Sequence, residues 1–379
     1  MDFTFTEAQQ AVTDAAEALI AGLAAPERVA EVEATEDRVD RTLWAALASA
    51  DLLSLAVPTE LGGAGLGLTE LCLLLEVDGR HVAPVPLWST LVLGALPIAR
   101  FGDERLRRRW LPEVAAGRCF LTAALTGSAA GAPTVVATGG SSGWRLDGVE
   151  QAVPQAHLAS RVVVPARTPT GGIVVALVDP SGDGATLEPA VTTNRELHPH
   201  LQLDGATVGD EDVLVGSDEG AAALDWLLQA AATGLCALAV GVAEAAVRRT
   251  ADYLNQRVQF DRPLASFQAT KLKVADAAID IEAMRVTLWQ AAWRLDTGRP
   301  AAAEVAIAKW QAAERGQRVV HAAQHLHGGV GADVGYPIHR YFLWGKQLEL
   351  QLGGPSAQLA RLGRLIAERA ATGAGKRAS

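Results

Sequence analysis

Tyr253 to Gln268 reads Tyr-Leu-Asn-Gln-Arg-Val-Gln-Phe-Asp-Arg-Pro-Leu-Ala-Ser-Phe-Gln. The run before it, Glu219 to Leu254, is apolar, alanine-rich and free of proline, and it predicts one helix. The run after it, Gln268 to Leu295, predicts another. Pro263 suits the first turn of that second helix, where a missing N–H costs nothing. The stretch is therefore a connector between two long helices. A connector needs glycine or asparagine to turn. This one also carries Arg257, Gln259, Arg262 and Gln268, interleaved with Phe260 and Phe267. Two readings are open. In one, it is a polar loop packed by Phe260. In the other, it is a site for an anionic, partly aromatic ligand: Arg257 offers a forked cation to phosphate, and Gln259 and Gln268 offer amide hydrogen bonds.

The bulk properties narrow the class. At 379 residues the length suits two or three domains. Hydrophobic residues make up 49% and charged ones 20%, enough for a large core and too apolar for global disorder. A net charge of −10 argues against a nucleic-acid partner. Cys72, Cys119 and Cys236 are far apart in apolar segments, so they form neither a metal site nor a disulfide framework. They read as reduced core thiols of a cytoplasmic protein. No membrane span is expected, because the most apolar window, Leu224 to Val247, is broken by Asp225, Gln229 and Glu244.

In chain order, residues 1–120 read as a helical domain. Thr6 with Gln9 is a capping-box pattern before an amphipathic run to Leu23. Asp40 suits the N-cap of the next helix. Residues 121–216 are rich in glycine, threonine, valine and proline. Short β-branched runs alternate with turns there, at 134–138, 161–164 and 173–178, which predicts a small β domain. Residues 217–371 read as long helices that need other helices on several faces. The polar, small-residue tail 372–379 is expected to be disordered. The fold class is thus mainly α with a small β domain.

The order Tyr-x-x-x-Arg-x-Gln-Phe-x-x-Pro-Leu-x-x-Phe-Gln resembles the signature of the acyl-CoA dehydrogenase family. So do Leu55 to Gly63, Phe101 to Gly117, and Gln324-His325-Leu326-His327-Gly328-Gly329-Val330-Gly331 with its continuation Tyr336 to Arg340. The resemblance covers nearly the whole chain. It implies a helical domain, a β-barrel and a four-helix-bundle domain. It implies FAD as cofactor and an acyl-CoA or steroid-CoA substrate. It further implies electron-transfer flavoprotein as redox partner and assembly with itself or a second family chain as dimer or tetramer. By the same resemblance Arg257, Gln259, Phe260 and Gln268 of one chain, with Gln324, Gly328 and Gly329 of another, hold the FAD nucleotide. Thr126 lies by the flavin. The spacing from Gln324 to the glycines is one residue longer than the family's. Asp261 stands where the family has glycine, an unfavourable carboxylate near a pyrophosphate unless Arg262 pairs with it.

The departures at the catalytic positions matter most. The family's base is the Glu of a Glu-Gly-Thr-x-Gln motif, and here Gly353 or Gly354 takes that slot. A minority of members carry the base on an earlier helix, and here that slot is Ala231. Glu349, one turn before Gly353, is a weak relocated candidate. The family's flavin-stacking Trp and hydrogen-bonding Thr fall on Ala152 and Pro154. The resemblance therefore implies a chain that completes an FAD site for a base-bearing partner. The alternatives are an active homo-oligomer with a displaced base and a non-catalytic binding or scaffold protein that has lost flavin.

Overall fold

Helices form both ends of the chain and a sheet its middle, in a computed structural model that describes residues 4–139 and 143–375. The amino-terminal helices are α1 (Glu7–Leu23), α2 (Pro26–Glu33), α3 (Arg41–Ser49), α4 (Leu68–His81), α5 (Leu96–Phe101) and α6 (Glu104–Ala115). Sequence-encoded caps set their starts. The Gln9 amide N–H donates to Thr6 Oγ1 at 3.2 Å, and the Thr6 N–H donates to Gln9 Oε1 at 3.0 Å. Asp40 accepts from the N–H groups of Thr42 and Leu43 at the head of α3. A π-helical turn, Trp88–Ala95, leads into α5.

The middle of the chain gives α7 (Thr126–Ala130) and the strands β1 (Leu121–Ala123), β2 (Val135–Gly139), β3 (Trp144–Glu150), β4 (Arg161–Arg167), β5 (Ile173–Val178), β6 (Ala185–Glu188), β7 (His200–Val208) and β8 (Val213–Val215). Their order is β6-β7-β3-β2-β4-β5-β8, with β1 lying parallel to β4. The β-branched runs of β4 and β5 pair antiparallel, with Val163 opposite Leu177, and they are buried along almost their whole length. β7 alternates inward and outward residues, so one of its faces meets the core.

The carboxy-terminal helices are α8 (Gly220–Gln256), α9 (Gln268–Asp296), α10 (Ala302–His327), α11 (Ile338–Leu350) and α12 (Pro355–Gly375). α8 is long and apolar enough to cross a bilayer, but 89% of that apolar window is buried inside the fold. Small residues let it cross α4 closely. A Cβ at Gly241 would lie 2.0 Å from the Glu76 carbonyl oxygen, and one at Gly79 would lie 2.3 Å from that of Leu238. No larger residue fits either crossing point.

Two local expectations change. Pro263 does not open α9. It lies in a two-residue strand, β10 (Arg262–Pro263), paired antiparallel with β9 (Val258–Gln259), and α9 starts five residues later at Gln268. Beside Pro263 the Leu264 N–H donates to the Arg257 carbonyl at 2.9 Å, and proline is tolerated in so short an edge pairing. The last helix runs to Gly375, past the expected boundary at 371, and residues 376–379 of the expected tail lie outside the described residues.

Candidate functional site

The connector is a tight hairpin. Phe260 and Asp261 at its tip both have positive φ, 54° and 62°, the type I′ arrangement that matches the twist of the flanking strands. This gives the family's glycine, and the aspartate here, a backbone cause: Asp is among the few residues that enter the left-handed region readily. Phe260 enters it at a cost of order 1–3 kcal/mol. Its ring is 84% exposed and meets the Phe267 ring edge-on at 6.1 Å, so it packs the connector on one edge and leaves the rest of the ring open. The Arg262 guanidinium lies 4.0 Å above the Phe267 ring. Among the described residues no ion pair joins it to Asp261. Arg257, at the C-cap of α8, and Gln268, at the head of α9, are both exposed, with no side-chain partner among the described residues. The Gln259 amide Nε2 donates to its neighbour's carbonyl, Val258 O, at 2.9 Å.

The glycine turn lies at the end of α10. The Tyr253 ring stacks on His327 at 4.5 Å, and Tyr336 closes the cluster at 5.4 Å from His327. This ties the start of the connector to the turn. Burial holds the His327 imidazole below its ordinary pKa, so its neutral form is favoured. Gly328 has φ 62° and ψ −140°, a conformation open essentially only to glycine. A Cβ at Gly328 or Gly329 would meet nothing within 4 Å. The turn is therefore a bare backbone surface that a ligand can approach. Gln324 folds inward: its Nε2 donates to the Gly331 carbonyl, and its buried Oε1 has no partner. One residue on, His325 is exposed.

The third element is a cleft of about 490 Å³ between α7, the β domain and the α11–α12 turn. It brings together Thr126, Ala152, Gly353 and Gln358, which are up to 232 positions apart in sequence. The α7 loop is held by buried Glu150, which accepts from the Gly127 N–H and from Thr134 Oγ1. The turn is held by Gln358, whose Nε2 donates to the Leu352 and Gly353 carbonyls at 3.0 and 3.2 Å. Buried Lys309 holds the end of α11 in the same way, donating to the Leu348 and Glu349 carbonyls at 2.9 and 3.2 Å. Burial lowers its pKa to about 8. Among the described residues no aspartate or glutamate lines the cleft.

The base candidates fall accordingly. Ala231 is fully buried, and its carbonyl accepts from Trp88 Nε1 at 3.1 Å, so that slot is packed solid. The Glu349 carboxylate pairs with Lys346 and lies outside the lining of the cleft. Gly353 has φ +96°. Gly354 is in ordinary backbone space, and a Cβ there would sit 3.7 Å from its nearest neighbours. The structure also brings forward residues that sequence reading passed over. His198, Gln347, Arg361 and Arg364 line the cleft. Only His198 is fully buried among them, and nothing in its local sequence marks it.

The donor set suits a dinucleotide at the hairpin and the glycine turn. It offers an unspent guanidinium, an unspent amide, an exposed ring and bare glycine backbone. At the cleft, Ala152 has φ 50° and its N–H donates to His200 Nδ1 at 3.1 Å, and Pro154 is buried. Neither residue offers a ring or hydroxyl to an isoalloxazine.

Comparison with known proteins follows this geometry. The profile described as acyl-CoA dehydrogenase, N-terminal domain, matches residues 6–118, and that for the C-terminal domain matches residues 218–369. Acyl-CoA dehydrogenase FadE27 of Mycobacterium tuberculosis is 39% identical over 376 residues, covering 97% of this chain and 99% of its own length. The ChsE4-ChsE5 complex from Mycobacterium tuberculosis superposes with a TM-score of 0.92 at 40% identity, covering 97% of this chain and 99% of the matched one. A variant of the Tcur3481-Tcur3483 steroid ACAD superposes with a TM-score of 0.90 at 47% identity, covering 96% and 99%.

Proposed function

The chain belongs to the acyl-CoA dehydrogenase family of FAD-dependent oxidoreductases, and from that premise we propose that it is the base-lacking, FAD-site-completing subunit of a heteromer. The observation that carries the reading is the cleft whose base slot is occupied by glycine and whose lining contains no carboxylate. General-base catalysis supplies about 10²–10⁴-fold, and the group must reach the proton it takes. A partner chain with its own glutamate supplies that group.

In this reading Arg257, Gln268 and the Gly328–Gly329 backbone hold the FAD nucleotide, with Phe260 against the adenosine and Gln259 beside it. FAD, when bound, supplies the hydride acceptor. Thr126 stands at the flavin end of the cleft. Gln324 acts by shaping the glycine turn rather than by touching the nucleotide, because its amide is spent on Gly331. The outward face of α9 supports a partner chain. Leu272, Ile279 and Val286 recur every seven residues on it and are 55, 65 and 54% exposed, a stripe of the kind another helix covers. That one solved relative is the ChsE4-ChsE5 complex and another a steroid ACAD supports a two-chain assembly acting on a bulky acyl-CoA such as a steroid-CoA. In this reading electron-transfer flavoprotein takes the electrons.

The deciding experiment purifies the chain alone and co-expressed with a family member that carries the glutamate. Its readouts are the flavin absorbance and the oxidation of acyl-CoA thioesters. The expected result is yellow complex and turnover only with the partner. Ordinary turnover by the chain alone would overturn the reading, and so would a complex that stays colourless with FAD added.

A further inference from the structure

A second, enclosed space lies beside the cleft, with Gln351 lining both. It measures about 20 Å³, room for one water molecule. Its apolar wall is Val85 and Trp88, Leu235 and Leu238 of α8, and Trp344 and Leu348 of α11. Trp88 heads the π-helical turn and is 7% exposed. Segments of π-helix are rare and recur at functional sites. The indole is seated in a notch on α8. Its Nε1 donates to the Ala231 carbonyl at 3.1 Å, and a Cβ at Gly234 would lie 2.8 Å from its Cδ1. Ala230, Ala231, Ala232 and Gly234 leave this turn of α8 without a bulky side chain of its own, so the notch is filled from outside the helix.

The polar side of the space is engaged within the fold. Glu196 Oε2 accepts from Asn194 Nδ2 at 2.7 Å and lies 3.2 Å from His198 Nε2. Asp78, on α4, is 2% exposed, and burial pushes its carboxyl well above its ordinary range, which favours the neutral form. What is left between these groups and the indole is too small for an acyl chain. An apolar cavity that takes even benzene measures about 150 Å³.

We propose that Trp88 is a plug: it fills a pocket that would otherwise run from the cleft, past Gln351, to the small residues of α8, and it thereby denies this chain the acyl group of a thioester. The inference rests on the reading that a partner carries the base, and it adds that the partner also carries the acyl pocket. Trp88 is then a specificity-determining residue of the assembly. Acyl-CoA is directed to one kind of chain, and this chain is left to hold the nucleotide.

Calorimetric titration of the full chain with CoA, butanoyl-CoA, hexanoyl-CoA and octanoyl-CoA compares the wild type with Trp88→Ala. The wild type is expected to bind the three thioesters no tighter than CoA. In Trp88→Ala, affinity is expected to rise with acyl length, by up to about fourfold per methylene, the value for burying one CH₂. A wild type whose affinity climbs with acyl length would overturn the proposal. So would a folded Trp88→Ala chain that benzene stabilises in thermal unfolding but that binds octanoyl-CoA no tighter than CoA, because the indole would then be ordinary core packing. Removing a buried indole is costly. If Trp88→Ala does not fold, Trp88→Leu carries the same titrations, and affinities that ignore acyl length there sink the idea. Thioester binding without oxidation by the wild type would remove the plug and leave the base-lacking reading intact, whereas oxidation by the isolated chain would remove that reading as well.

Discussion

Gly353 and Gly354 are neighbours with opposite tolerances. Gly353 needs φ +96° and would bring a Cβ to 3.2 Å from that of Ala357. Gly353→Ala is expected to destabilise the chain by about 1–3 kcal/mol in denaturant titration. Gly354→Ala is expected to be near neutral in the same titration, because its Cβ meets only ordinary contacts. The adjacent slot can therefore take a side chain, and Gly354→Glu is expected to fold normally and return a carboxylate to the α11–α12 turn. At the nucleotide, Arg257→Ala is expected to weaken FAD retention about tenfold or more, the effect of losing a charge-assisted contact to phosphate. Fluorescence titration of the complex measures it. An unchanged affinity would make Arg257 a bystander.

The hairpin and the end of α11 make their own predictions. Asn enters the left-handed region more easily than Phe, so Phe260→Asn is expected to slow amide exchange across β9 and β10. The same change removes the exposed ring, and assembly with a partner should weaken in sedimentation. Lys309 titrates near pH 8 because burial disfavours its charged form. Between about pH 8 and the unfolded value near 10.4, the unfolded chain binds more protons, so stability rises with pH. Lys309→Met is expected to lack that rise in thermal scans, and it leaves two α11 carbonyls unpaired. These elements also show what the sequence made legible. Thr6, Gln9 and Asp40 announced their helix starts because capping chemistry is local. The long helices and β-branched strands followed from period and composition. Pro263 misled because a two-residue hairpin stores its signal in φ angles at Phe260 and Asp261, and neither is a glycine. The cleft was half legible: Gly353 and Thr126 came from motif order. His198 did not, because its place in the cleft arises only when the loop before β7 and the α11–α12 turn meet in space.

At the scale of the whole molecule, the helices and sheet build a nucleotide surface whose donors are unspent and a cleft that lacks its base. Under the proposed function such a chain is half of a catalytic unit. Ile279→Lys, in the middle of the α9 stripe, is expected to leave the folded chain intact by circular dichroism while preventing co-purification with the base-bearing partner. An unchanged complex would place the partner on another face. The stripe and the Phe260 tip carry one further consequence, in the economy of the cell rather than the chemistry of the enzyme. A newly made copy without its partner displays Leu272, Ile279, Val286 and Phe260 to everything around it, and chaperones and proteases act on surfaces of that kind. The abundance of this chain is therefore expected to follow the synthesis of its partner, with surplus copies removed by turnover rather than stored.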